Sequence, residues 1–429
     1  MGVDYILESS TKKLIALSIA LTLLIIASPL AYSANNSNSK EIPSSGIIES
    51  NPDSQTEIIF MRHFIHEDAF SAAQIALSTD IWSGHYDALP FIIELRTLNP
   101  NMSFLLYRNI RTVWGPNQLW EYNSTELQLF IRSGWVLKDA SRNLVVDGNG
   151  YLVDVGNKAY QSWLAQWLKS YIEQYGANGA FLDNCLASTE ILWGINQAPI
   201  NPRTGMVWTD QEWHAAIVSL VNEVKAALGN KKYVVGNGIF NGANWNNRLQ
   251  SYQGLLLNSS IDGIMCEGWI SDYSPFWYDE LTWKESIDMA VWINNNFLSK
   301  SGKFFFALSY NAAQGSVPTG ATPEQHTLFS YASLLLAASN DGNSLSYGSY
   351  LMNNYTQNLF KLDVGTPVNS YSVIPNTHVY TRDFTNVKVL VNPTDVTYSV
   401  DLYKQYFLDG SSLSSLTVQP HTGIILQTK

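Results

Sequence analysis

The chain alternates between short apolar runs and longer segments of helical periodicity. The apolar runs lie at 58–63, 79–82, 103–108, 179–183, 233–237, 262–267, 303–309 and 343–347. Each is strand-length and most are dominated by apolar residues, which is how a parallel strand buried on both faces reads. Between them, 158–175 places Tyr160, Trp163, Leu164, Trp167, Leu168, Tyr171, Ile172 and Tyr175 on one helical face, with Asn157 as N-cap. Trp213, Ile217, Leu220, Val221, Val224 and Leu228 mark a second helix before Gly229. Trp283, Ile287, Val291 and Phe297 mark a third, and a fourth begins after Pro323. Such repeated strand–helix alternation predicts an α/β fold, a (β/α)8 TIM barrel over residues 57–370. The second run fits the pattern least. The stretch 111–156 is too long for an ordinary loop, and we expect it to fold over the barrel mouth.

The pattern changes near residue 375. Val379-Tyr380, Val387 to Val391, Tyr398 to Val400 and Gly423 to Leu426 are short alternating runs separated by turn residues. They predict a small C-terminal antiparallel β-sandwich over 375–429. At the other end, Lys12-Lys13 precede an uncharged run from Leu14 to Leu30, then Ala31-Tyr32-Ser33. Residues 1–33 therefore read as a secretory signal peptide, with an uncleaved N-terminal anchor as the alternative. Residues 34–56, rich in Asn, Ser and Pro, read as a flexible linker.

Two of the apolar runs end in a single carboxylate. Gly179-Ala180-Phe181-Leu182-Asp183 is followed by Asn184, and Asp262-Gly263-Ile264-Met265-Cys266-Glu267 by Gly268-Trp269. Barrel enzymes place their chemistry at the C-terminal ends of strands, and two carboxylates there are the minimum for cutting a glycosidic bond. The plainer readings are a turn or cap for Asp183 and a structural ion pair for Glu267. Asn237 ends a run between them, where an amide suits a sugar hydroxyl, a carboxylate or a turn equally well. Tyr107, Tyr310 and Trp269 stand at strand ends and line either a pocket or the core. Asp154, ahead of the long helix, is rim or cap. His63, His66, Glu67 and Asp68 look like part of a metal site, but no matching ligand set accompanies them. Neither a metal nor a cofactor is implied.

Composition narrows the partners. Charged residues are 14% and aromatics 13%, with 14 Trp and 23 Tyr, which fits a large core or a sugar-stacking surface. A formal charge of −11 disfavours nucleic acid and anionic membranes. The sequons at Asn35, Asn101, Asn123, Asn258 and Asn354, with the leader, favour an extracellular or cell-surface glycoprotein. Cys185 and Cys266 sit on strands that should not be neighbours and are expected as buried free thiols.

Several stretches carry a family likeness. They are Tyr151-Leu152-Val153-Asp154-Val155-Gly156-Asn157, Gly179 to Asn184, Asn237-Gly238, Cys266-Glu267-Gly268-Trp269, and the tail Tyr380 to Phe384 with Val389 to Thr394. In these the chain resembles the TIM-barrel glycoside hydrolases around family 114, the endo-α-1,4-polygalactosaminidase-like barrels, and a related set of uncharacterised glycosyl-hydrolase-like proteins. The likeness covers residues 57–429. It implies Asp183 and Glu267 as the catalytic pair and a carbohydrate as substrate. The family's usual Gly-(Phe/Ala)-Asp-Gly is Gly176-Ala177-Asn178-Gly179 here, and the β-domain and the 111–156 insertion fit the uncharacterised relatives better. The expectation is a secreted glycoside hydrolase. The alternatives are a non-catalytic carbohydrate-binding or cell-surface protein on the same scaffold, and a metal-dependent hydrolase built around His63.

Overall fold

A parallel strand hides both of its faces, so its neighbours must be apolar on either side. In the computed structural model this is met by a ring of strands enclosed by helices. The structure describes residues 59–63, 72–76, 79–85, 89–117, 123–189, 195, 197–271, 276–300, 302–310, 317–338, 345–349, 354–408 and 411–428. The leader or anchor, the linker, Asn35 and the His66-Glu67-Asp68 cluster lie outside the described residues. Among those described, no helix is long and apolar enough to cross a membrane.

The ring strands are β1 (Ile59–His63), β2 (Ile81–Gly84), β3 (Ser103–Asn109), β7 (Gly179–Asp183), β8 (Tyr233–Ile239), β9 (Gly263–Cys266), β10 (Phe304–Ser309) and β11 (Leu345–Ser349). Each pairs in parallel with the next, and β11 pairs with β1 to close the sheet. Helices α1 (Ala72–Ala76), α2 (Leu89–Leu98), α4 (Lys158–Tyr175), α5 (Asp210–Leu228), α6 (Gly242–Asn247), α7 (Leu249–Asn258), α8 (Glu280–Ile293), α9 (Pro323–Leu336) and α10 (Asn354–Phe360) fall between or after them. All eight runs seen in the sequence coincide with ring strands. The second lies two residues later than its apolar pattern because Ser83 and Gly84 are both buried within it. Glu267 lies just beyond β9 rather than inside it.

Helix α4 starts at Asn157, whose side chain accepts from the Ala159 and Tyr160 amides, and ends at left-handed Gly176 (φ 64°). Tyr160, Leu164, Leu168 and Ile172 are its buried stripe, while Trp163, Trp167 and Tyr171 lie half-buried at its margin. The Arg108 guanidinium sits 4.8 Å from the Trp167 ring.

The 111–156 stretch leaves the C-terminal end of β3 as structure of its own. It holds β4 (Thr112–Trp114), α3 (Ser124–Arg132), β5 (Val146–Asp147) and β6 (Gly150–Leu152), the strands forming a small antiparallel sheet. Arg111 ties it together by donating to both oxygens of buried Asp147 at 2.9 and 3.0 Å.

The C-terminal part is β12 (Ser372–Val373), β13 (Tyr380–Asp383), β14 (Val387–Asn392), β15 (Tyr398–Leu408), β16 (Ser411–Val418) and β17 (Thr422–Gln427). These make one continuous antiparallel sheet in the order β12-β13-β14-β17-β15-β16, in place of the two sheets of the expected sandwich. Alternation along β14 explains its packing. Val387, Val389 and Val391 join the main core, while Leu390 faces a second cluster with Val400, Leu402, Val418 and Leu426. The β15–β16 hairpin shifts register between Asp401 and Tyr406, and β15 reaches β17 at the Phe407–Gln427 pair. β16 escapes a sequence reading because Ser411 to Thr417 is mostly polar and largely exposed.

Two outcomes follow from this packing. A Cβ at Gly179 would lie 2.2 Å from the Tyr233 carbonyl oxygen on β8. Gly179→Ala should therefore lower unfolding stability by about 3 kcal/mol in denaturant titrations. On α9, fully buried His326 shares a 2.7 Å hydrogen bond with Ser271 Oγ, and burial pushes its imidazole down to about 4. The unfolded imidazole takes up its proton near 6.5 and the folded one only near 4, so stability should fall as pH drops through that window and level off below it. His326→Gln should flatten the wild-type slope, which reaches about 1.4 kcal/mol per pH unit for one proton, in unfolding curves taken at stepped pH.

Candidate active site

Alternation along β7 puts Gly179, Phe181 and Asp183 on the inward face, with Asp183 last. Phe181 pairs with Tyr107 on β3 and Val235 on β8, which sets Asp183 level with Asn237. Phe181 and Tyr107 also stack, ring centroids 6.3 Å apart, giving the site an apolar floor. Glu267 and Tyr310 follow β9 and β10 directly. Five consecutive ring strands thus bring Tyr107, Asp183, Asn237, Glu267 and Tyr310 to one end of the ring, the C-terminal one.

These side chains are bonded to one another. Asn237 Nδ2 donates to Asp183 Oδ1 at 2.9 Å and to Glu267 Oε2 at 2.7 Å. Those two oxygens are therefore no more than about 5.6 Å apart, the two bonds laid end to end. Tyr107 donates its hydroxyl to Asp183 Oδ2 at 2.7 Å, and Asn184 Nδ2 reaches the same oxygen at 3.1 Å. Tyr310 donates to Glu267 Oε1. The carboxylates are half-buried, while Tyr107, Asn237 and Tyr310 are buried. Asn184 adopts a left-handed backbone (φ 55°), which turns the chain after β7 and leaves its amide beside Asp183. The Asp183-Asn184 dipeptide is ordinary turn chemistry in sequence, so this role of Asn184 was not legible there.

Two expected contributors lie elsewhere. Trp269 is 0% exposed, donates Nε1 to the Ser330 carbonyl at 3.1 Å and packs edge-on against Phe305. It is a core residue between β9 and α9, with no ring face offered to a sugar. Asp154 is buried and accepts from both Arg203 terminal nitrogens at 3.1 and 2.9 Å, and from the Gly156 amide. Its carboxylate is spent on an ion pair with an arginine that lies over Trp208 and on the turn ahead of α4. Tyr107 and Tyr310 reach the site as expected, but through hydroxyls aimed at the carboxylates.

Cys185 and Cys266 are both buried and unpaired with each other. Burial, then the charge of Asp183, pushes the Cys185 thiol up to about 12, and burial pushes Cys266 higher still. Neither is a nucleophile near neutral pH. Among the described residues, no group of three or more His, Cys, Asp or Glu side chains is arranged to hold a metal ion.

Residues 96–388, more than half of the chain, match the family described as hypothetical glycosyl hydrolase family 15, and the chain belongs to that family. No curated protein matches the sequence. In fold the chain is similar to the GH36 alpha-galactosidase AgaA from Geobacillus stearothermophilus, at TM-score 0.50 and 9% identity over 87% of this chain and 55% of that one. It is also similar to an alpha-amylase from Geobacillus thermoleovorans (TM-score 0.47, 11% identity, 88% and 99% covered). A third likeness is to the glycoside hydrolase domain of PelA from Pseudomonas aeruginosa (TM-score 0.42, 11% identity, 68% and 94% covered). At such identities a likeness speaks to the fold alone.

The burial of Trp269 has a measurable consequence. Trp269→Ala should cost about 4 kcal/mol of unfolding stability and leave the affinity of the folded protein for oligosaccharides unchanged, as titration calorimetry below the variant's melting temperature would show.

Proposed function

We propose that the chain is a (β/α)8 glycoside hydrolase that cleaves O-glycosidic bonds of a poly- or oligosaccharide with retention of configuration. The observation that carries this reading is the single Asn237 amide bonded to both carboxylates. A retaining enzyme needs its carboxyl groups about 5–5.5 Å apart, and an inverting one about 6.5–9.5 Å, to admit a water. A pair spanned by one NH2 group suits the shorter spacing.

Hydrogen-bond chemistry divides the roles. Each oxygen of Asp183 already accepts from an N–H, Asn237 on Oδ1 and Asn184 on Oδ2. A proton on either oxygen would confront a group that can only donate. Asp183 is therefore the nucleophile. Its carboxylate bonds to the anomeric carbon while the bond from that carbon to the leaving oxygen breaks. Glu267 gives its proton to that oxygen, then takes one from the water that releases the sugar from Asp183. Glu267 can carry that proton on Oε1, where the Tyr310 hydroxyl is able to turn from donor to acceptor. We further propose export to the cell surface or medium, from the N-terminal leader pattern. The family 114 resemblance places galactosamine polymers in the substrate panel beside other polysaccharides.

On a substrate found in that panel, Asp183→Asn should abolish turnover while the protein still folds and binds. Glu267→Gln should lose turnover of poor leaving groups but keep the first step on activated aryl glycosides. Azide should rescue Glu267→Ala with retained configuration at the product. Near wild-type turnover in both single variants would sink the assignment. Binding of the panel without any hydrolysis by the wild type would point to a carbohydrate-binding protein on this scaffold.

A further inference from the structure

Asn237 is 6% exposed and stands between two acidic side chains, an unusual place for a sugar contact. Its Nδ2 carries two hydrogens, and Asp183 Oδ1 and Glu267 Oε2 accept them at 2.9 and 2.7 Å. Its backbone is fixed as well: the Asn237 carbonyl accepts the Cys185 amide at 2.7 Å, and the β8–β9 register shifts immediately after it. The amide therefore comes from a backbone position set by the sheet. Both of its donors are engaged, so neither is left for a hydroxyl.

We propose that Asn237 is the positioning residue of the carboxylate pair: its amine sets the distance between Asp183 and Glu267, keeps their facing oxygens as acceptors, and so confines the transferable proton to the far oxygen of Glu267, beside Tyr310. This deepens the retaining reading and rests on it for the identity of the two catalytic groups. Two carboxylates this close repel, and without donors between them they would share a proton or swing apart. An amide there removes both options. It cannot accept a proton from either partner, and it attracts both. Among the described titratable groups, the Tyr107 and Tyr310 hydroxyls bond to the pair, the thiols of Cys185 and Cys266 lie two and one residues from Asp183 and Glu267 in the chain, and the His85 imidazole lies 6.4 Å from the Tyr107 ring. The thiols stay protonated through the neutral range for the reason given above.

The test uses the full-length protein with 13C-labelled Asp and Glu carboxyl groups. Their NMR titration is followed in wild type, Asn237→Ala and Asn237→Asp, with Asp183→Asn and Glu267→Gln supplying the assignments. Removing an N–H donor weakens the ionised form, so the Asp183 titration should move to higher pH in Asn237→Ala. It should move further in Asn237→Asp, which adds a third carboxylate of the same size. On 2,4-dinitrophenyl glycosides and the polysaccharide panel, kcat for Asn237→Ala should fall about 100-fold, with KM held, and the pH–rate profile of Asn237→Asp should shift to alkaline pH, because the added negative charge raises the pKa of both carboxyl groups. Carboxyl titrations that superimpose on wild type would overturn the proposal. A raised KM alongside them would make Asn237 a sugar ligand, and a lowered melting temperature alongside them would make it merely structural. If the titrations move as expected while Asp183→Asn and Glu267→Gln remain active, the positioning of the two carboxyl groups stands and their assignment as the catalytic pair falls.

Discussion

Everything at this site depends on keeping two carboxyl groups close together. Were both ionised, their repulsion at about 5 Å would be near 3 kcal/mol at an effective dielectric of 20. Such a pair is held only where donors face it. Here the donors come from the ring itself: one amide from β8, one from the turn after β7, a phenol from within β3 and a phenol just after β10. Each comes from a different strand of one hydrogen-bonded ring. The carboxylates are therefore as well placed as the ring is well closed.

The ring in turn depends on its interior. Phe181, Val235, Met265 and Phe306 share the inward face beneath the polar layer and are buried. They exclude water from below, so the polar groups above must satisfy one another or a ligand. Gly179 allows β7 to lie close against β8, which keeps Asp183 level with Asn237. Packing, register and chemistry are one constraint seen at three depths.

The C-terminal sheet serves the same end indirectly. Its Val387, Val389 and Val391 complete the apolar cover of α9, and Gly423 lies directly against Leu328, Phe329 and Ala332 of that helix. Helix α9 also accepts the indole N–H of Trp269, two residues beyond Glu267. The sheet thus braces the segment that carries one of the two carboxylates, which is a reason for it to be continuous with the barrel core.

Much of this was legible from the sequence. Parallel strands must be apolar on both faces, so every ring strand stood out as a run, and a carboxylate closing such a run was conspicuous at Asp183 and Glu267. Helix α4 was legible to its ends, because an Asn cap and a left-handed glycine are local signals. What periodicity could not tell was what each polar or aromatic side chain meets. Trp269 and Tyr310 look alike in sequence, as aromatics next to strand ends. Only the packing of α9 made the first a core residue, and only the strand register aimed the hydroxyl of the second at Glu267. Asp154 and Asp183 look alike too, until Arg203, 49 residues on, claims the first. The choice of residues at strand ends was written in the chain. Their partners were decided by the register of a closed sheet, because a side chain's partner depends on which strands lie beside its own, and that is a property of the whole fold.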